Sequence, residues 1–330
     1  MIERKEIVMK KRFLLLVFAL LLLFSVVGGA AFAEADGAPK VRVYTLNGTT
    51  GFGMAGMIVE NENKAWPEYT FTVETDPSVV TAALVSGECD IAALPTNAAA
   101  ALYNKTEGKV QVLALNTRGV LYLVTDGKEK IESITDLSGK TVYAPAQNPS
   151  FIFAALCSKY GIELDIDTSY AQPAELNTAV ATGQVGLAVL PEPMVTVAES
   201  QNPELVVALD LNKEWDKVME PGSLVQGCVV VRRDFAEAHP DALAKFLEDY
   251  GASIALLTED TEAAAKNIEA AGIFAKAAVA AKAIPNCNVC FVTGEDMQRE
   301  LGAFLEIMFQ KAPQSIGGSL PGEDFYCILK

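Results

Sequence analysis

The stretch PSVVTAALVSGECDIAALP, residues 77–95, decides the architecture, because a second copy of its pattern, PAELNTAVATGQVGLAVLP, occupies residues 173–191. Pro77, Ala83, Gly87, Ala92, Leu94 and Pro95 recur as Pro173, Ala179, Gly183, Ala188, Leu190 and Pro191, always 96 positions later and without a gap (77 to 173). Matches of alanine and leucine are cheap in an apolar chain, but two prolines and a glycine in constant register are not. In each copy a proline opens a helix where its missing N–H is harmless, a glycine stops it, and an apolar run follows as a buried strand. A structural duplication is expected, with two similar units in one chain.

Outward from the first copy, Val41–Leu46 reads as a strand entering the Gly-rich turn Asn47-Gly48-Thr49-Thr50-Gly51, and Tyr69–Glu74 as a second strand. Asp90–Leu94 is a third strand, 97–104 a helix and Val110–Leu115 a fourth strand. Around the second copy, Thr141–Ala144 leads into Gln147-Asn148-Pro149-Ser150, and Leu205–Leu211 supplies another strand. Gln226–Arg232 is a strongly apolar strand predicted to return to the first unit, after which Ala-rich helices follow with too few strands for a third sheet. Strands alternating with helices predict an α/β protein with two lobes, each a mainly parallel sheet flanked by helices, joined by two crossovers. Lobe one is predicted at 38–118 plus 223–330, with lobe two, 119–222, inserted in it.

The N-terminus has a different character. Lys10, Lys11 and Arg12 precede an apolar run, Phe13–Val27, and small residues end at Ala31-Phe32-Ala33. This is the pattern of a secretory signal peptide, residues 1–33, cut after Ala33. An uncleaved anchor is the alternative, against which stands a run shorter than the ~20 residues of a spanning helix. No cysteine lies near the cleavage point, so a lipoprotein is not expected, and the location is periplasmic or otherwise extracytoplasmic. Removing those residues leaves 21 basic against 40 acidic residues, a formal −19, which argues against nucleic acid and acidic membranes as partners.

Six cysteines in an exported chain are too few for a disulfide scaffold. Cys89, Cys157 and Cys228 sit in apolar contexts. Cys287, Cys290 and Cys327 leave one bridge open, with no choice of pair. Zinc is not expected at Cys287-x-x-Cys290, because a structural site wants four ligands and the chain has a single histidine.

Several motifs resemble one family. Ile134-Thr135-Asp136-Leu137-Ser138-Gly139-Lys140-Thr141-Val142 resembles the D-L-x-G-K-x-V segment of the nitrate/sulfonate/taurine-type solute-binding proteins of ABC transporters. Gly87-Glu88-Cys89-Asp90-Ile91-Ala92 is similar to their G-x-x-D-I-A segment, and Leu190-Pro191-Glu192-Pro193 to their P-E-P loop. The resemblance, over about residues 40–235, implies the type II periplasmic binding protein fold and a monomer that delivers a small molecule to permease and ATPase subunits. A sulfonate, a thiamine-type pyrimidine or another small nitrogen-bearing acid are the ligand classes it brings. Gly186 stands where the second G-x-x-D copy commonly has an acid.

In such a fold the ligand meets helix starts, which present unpaired N–H groups and a partial positive charge. Thr49, Thr50, Thr96, Asn97, Asn148 and Ser150 offer hydroxyl or amide groups there, either to a ligand or as ordinary N-caps, and as a set they favour a small polar or anionic organic ligand. Phe52 and Phe151 wall the pocket or belong to the core. Glu192 pairs with a ligand amine or ring N–H, or faces solvent. Arg118, at the end of the fourth strand beside the first crossover, is the one arginine in a cleft loop and either clamps an anion or balances an acidic surface. Enzymes of the same fold, in thiamine-pyrimidine or menaquinone biosynthesis, are the alternative, and a ligand-sensing module is another. His239 precedes Pro240 at the start of a late helix, where capping or exposure is its expected role. The chain carries no nucleophile elbow, phosphate-binding loop or paired-histidine metal motif, so neither catalysis nor a cofactor is expected.

Overall fold

Val41–Leu46 forms strand β1, with its odd-numbered valines fully buried, and runs into the short helix α1 (Thr49–Phe52) and α2 (Ala55–Asn61). This computed structural model describes residues 40–61, 69–128 and 130–329, all within one compact unit, Lys40–Lys330. The signal-peptide reading and its cleavage point lie outside the described residues. Strand β2 (Tyr69–Glu74) pairs parallel with β1. Helix α3 (Pro77–Ser86) starts on Asp76, whose side chain accepts from the Ser78 N–H at 2.8 Å, and stops at Gly87, whose φ of 80° closes the helix in the left-handed region. Then come β3 (Ile91–Pro95), α4 (Thr96–Thr106) and β4 (Val110–Arg118).

The chain crosses to a second sheet through Gly119 and Val120. There β5 (Leu121–Thr125), β6 (Thr141–Tyr143), α5 (Asn148–Lys159), β7 (Asp165–Asp167), α6 (Pro173–Ala181), β8 (Leu187–Pro191), α7 (Met194–Gln201), β9 (Val206–Asp210) and α8 (Leu211–Asp216) follow. Helix α6 repeats the logic of α3, with proline at its start and a reciprocal Gln172–Glu175 capping box. Strand β10 (Val225–Arg232) returns to the first sheet, and α9 (Arg233–Ala238), α10 (Pro240–Glu259), α11 (Thr261–Ala270), α12 (Ala277–Ala283), β11 (Val289–Val292) and α13 (Gly294–Lys311) complete it.

The described strands order as β11-β4-β10-β3-β1-β2 and β7-β6-β8-β5-β9. Matching β2, β1, β3, β10 and β4 to β7, β6, β8, β5 and β9 reproduces both the order and every parallel or antiparallel pairing. The repeat in the sequence is therefore a repeat of topology. In the part the two sheets share, one strand is reversed, β10, the returning chain, in the first sheet and β5, the entering chain, in the second; the added edge strand β11 is antiparallel to β4 and so is reversed as well. Both crossings of the chain thus pass beside β10 and β5.

Mainly parallel describes the direction of most strands, but the pairings are mixed, because β10 and β5 each make two antiparallel ladders and the edge strand β11 makes a further one. Strand β4 runs three residues beyond the predicted Leu115, since Thr117 and Arg118 keep pairing with β10 and Thr117 also with β11. Three strands, β5, β7 and β11, go beyond the sequence reading. Val229, Val230 and Val231 of β10 are fully buried between β3 and β4. Each such burial contributes about 1.5–3 kcal/mol relative to exposure. No helix among the described residues is long and apolar enough to cross a membrane.

Candidate ligand cleft

The carboxyl ends of β1, β3, β6 and β8 all lead into helix starts. Two of these starts share an unusual backbone. Gly48 ahead of α1 has φ 85° and Gln147 ahead of α5 has φ 64° with ψ −124°, a region that glycine tolerates and glutamine does not favour. Neither α1, α4 nor α5 receives a side-chain cap, whereas α3, α6 and α8 at the neighbouring strand ends are capped by Asp76, Gln172 and Asp210. The polar residues at the uncapped starts donate elsewhere. The Thr96 hydroxyl, fully buried, gives its proton to the Val225 carbonyl at 2.7 Å, and the Ser150 hydroxyl gives its own to the Gln147 carbonyl at 2.9 Å. Thr49 and Thr50 sit on α1, where the Thr50 carbonyl accepts from the Asn116 amide at 3.1 Å.

The Asn97 amide likewise donates to the Ser315 carbonyl at 3.5 Å, but Asn97 and Asn148 share a further feature. Each holds a side-chain oxygen that is buried without any donor, Asn97 at the start of α4 in the first lobe and Asn148 at the start of α5 in the second. A buried acceptor without a partner forfeits about 1–3 kcal/mol. Phe52 is core, 1 % exposed among Ala55, Leu257 and Ile273 and edge-on to Phe274. Phe151 is half-buried and packs against the main core cluster. Arg118 does not stand open in the cleft. Its Nη2 donates to both oxygens of Glu300 on α13 at 2.9 Å, while its Nε is buried without a partner.

Glu192, which follows β8, is 3 % exposed and does not face solvent. Its Oε2 accepts from the Thr196 N–H at 3.1 Å and its Oε1 from the Thr196 hydroxyl at 3.0 Å, so it caps the start of α7. The Asn286 side chain, in the segment after α12 that packs with Phe52 and Ala55 of the first lobe, lies near the carboxylate and moderates the rise of its pKa. The Tyr122 hydroxyl of β5 donates to the Asn286 carbonyl at 2.7 Å. Glu192 therefore lies where the two lobes touch. Burial pushes its pKa up to about 7, and the nearby Glu199 adds to the rise.

The crossover is held by side chains. Asn212 accepts from the Gly119 N–H at 3.2 Å, Gln226 accepts from the Val120 N–H at 2.8 Å, and the Asn288 amide donates to the Gly119 carbonyl at 2.5 Å. The sequence reading missed Asn116, Tyr122, Thr196, Asn286 and Asn288. Only Thr196 left a signal, four residues beyond Glu192 on a helix, the spacing at which two side chains meet. His239 makes no side-chain cap at α10 and lies against Phe235, with ring centroids 4.9 Å apart. The six cysteines are free thiols, and no group of histidine, cysteine, aspartate and glutamate that could hold a metal exists among the described residues.

A family model described as menaquinone biosynthesis matches residues 56–283. No curated protein matches the sequence. Among solved structures, an ABC transporter protein from Parabacteroides distasonis is 24 % identical with a TM-score of 0.76, over 88 % of this chain and 99 % of that one. The periplasmic aliphatic sulphonate binding protein of Escherichia coli is 12 % identical with a TM-score of 0.69, over 88 % and 94 % of the two chains. A ligand-binding component of an ABC-type import system from Staphylococcus aureus is 14 % identical with a TM-score of 0.65, over 88 % and 96 %. The shared architecture is the periplasmic binding protein fold.

Proposed function

From a chain that belongs to the menaquinone-biosynthesis family, we propose a protein that binds rather than converts, an extracytoplasmic solute-binding protein that hands a small polar organic molecule to the permease and ATPase subunits of an ABC importer. The observation that carries this reading is the pair of uncapped helix starts, one per lobe, each with a buried asparagine oxygen awaiting a donor. Such atoms are costly in a finished core and useful in a site that a ligand completes. We take 38–118 with 223–330 as one lobe and 119–222 as the other. We assign ligand contact to Asn97, Asn148 and Glu192, with Thr49, Thr50, Ser150 and Phe151 around them. Thr96, Phe52 and Arg118 act behind these residues, holding the loops in place. Export by the leader, a monomeric state and the absence of a lipid anchor belong to the same proposal. The names of the similar structures, an importer component and a sulphonate-binding protein, support transport and keep a sulfonate among the candidate ligands.

A second reading, catalysis in menaquinone biosynthesis, is favoured by the family match and by Glu192, whose pKa of about 7 suits a general acid or base. The two are separated by incubating the protein with the compound that co-purifies with it. Binding alone returns that compound unchanged, and catalysis returns a product whose formation stops in Glu192→Gln.

A further inference from the structure

The five arginines among the described residues are all committed to carboxylates of the protein itself. Arg42 and Arg232 meet at Asp90, Arg118 is on Glu300, Arg233 on Asp324 and Arg299 on Asp296. Among the described residues every guanidinium has a carboxylate partner, and the Arg118 Nε, buried beside the crossover, keeps a donor to spare. The cleft presents the opposite chemistry. The buried carboxylate of Glu192 has as neighbours Thr196, Asn286, Tyr122, Glu199 and Cys287, none of which is a cation. The side-chain oxygens of Asn97 and Asn148 are acceptors without donors. Strands β6 and β8 are adjacent, paired at Tyr143 and Ala188, so the loops bearing Asn148 and Glu192 leave the same edge of the second sheet side by side.

We infer that the ligand of this cleft carries a protonated nitrogen or a group of N–H donors that Glu192 receives, and is a cationic or zwitterionic nitrogen compound rather than a simple anion. This rests on the reading of the cleft as a ligand site. A buried carboxylate wants a countercharge or several donors, and Thr196 and Asn286 supply only neutral ones. A ligand N–H group adds the missing charge. An anionic end, where the ligand is a zwitterion, has the uncapped start of α5 to meet. The acidic chain, with a formal charge of −16, favours the approach of cations over anions.

The test is calorimetric titration of the purified protein with compounds paired so that only the nitrogen differs. Suitable pairs are taurine against propane-1-sulfonate, β-alanine against butyrate, and 4-aminopyrimidine against 4-methylpyrimidine. In at least one pair the nitrogen compound is expected to bind about tenfold or more tightly, the factor of a charge-assisted hydrogen bond. That preference should vanish in Glu192→Gln, with circular dichroism showing the variant folded. Glu192→Asp, which keeps the charge but shortens its reach, is expected to retain part of it. Equal binding within the pairs, a preference for the carbon analogues, a preference that survives Glu192→Gln, or no binding of any nitrogen compound overturns the inference. Tight 1:1 binding of propane-1-sulfonate or butyrate would remove the ligand class while leaving the cleft a binding site. Conversion of any of the compounds would instead remove the binding-protein reading.

Discussion

Burial lifts the Glu192 carboxyl from an ordinary 4.5 to about 7, so the folded chain keeps a proton that the unfolded chain gives up first. Below pH 4.5 both states are protonated and the site costs nothing. As pH rises from 4.5 to 7 the unfolded state ionises ahead of the folded one and stability falls, levelling off above 7. The loss is on the order of 3 kcal/mol. Glu192→Gln mimics the protonated form, so urea denaturation should give variant and wild type similar stability at pH 4.5 and a gain for the variant at pH 8. An unchanged difference between the two pH values would show that Glu192 ionises normally. Arg118 gives a second expectation. Glu300 has a side chain only 7 % exposed, whereas that of Arg118 is one third exposed, so solvent screens part of the pair. Arg118→Ala should cost roughly 1–3 kcal/mol by leaving the Glu300 charge with only the longer contact to Arg299 at 3.8 Å, and Glu300→Gln in the same chain should restore most of it. Ligand affinity should stay near that of wild type, and a tenfold fall in affinity with stability intact would return Arg118 to the ligand. The sequence could mark Arg118 as the arginine next to the crossover, but not its partner 182 residues away. Glu192 stood out in the sequence as a candidate contact in the Pro-Glu-Pro loop. Its burial did not, because Asn286 and Tyr122 come from segments that only the fold brings together.

The duplicated helices were readable because their signals are local, with proline and cap at the start and glycine at the end, so that α3 runs from Pro77 to Ser86 as its residues imply. The strands that escaped take their identity from neighbours. Leu121–Thr125 is an apolar run whose place between β8 and β9 depends on the crossover, and Asp165–Asp167 is too short to show alternation. Val289–Val292 adds to the edge of β4 from the far end of the chain. The turn from β1 into α1 makes a sharper test of this packing. A Cβ on Gly51 would fall on the Leu46 carbonyl oxygen, backbone that has nowhere to move. Gly51→Ala is expected to destabilise by more than about 2 kcal/mol in thermal or urea melts. At the equivalent start in the second lobe, Gln147 holds φ 64° without glycine's freedom, so Gln147→Gly should stabilise by about 1 kcal/mol or less. A loss of stability there would mean that the glutamine side chain compensates its backbone.

In the whole molecule, two sheets of one shared topology are joined by a chain that crosses between them beside the strands β10 and β5. Hydrogen bonds with Asn212, Gln226 and Asn288 hold the first crossing at Gly119 and Val120. A protein of the proposed kind captures a molecule and leaves it intact. Native mass spectrometry of freshly purified protein, followed by release and identification of the bound compound before and after prolonged incubation, tests that claim most directly. One compound per chain, nitrogen-bearing and of the same mass at both times, is the expected result. A released compound whose mass has changed during incubation, and does not change with Glu192→Gln, would contradict it.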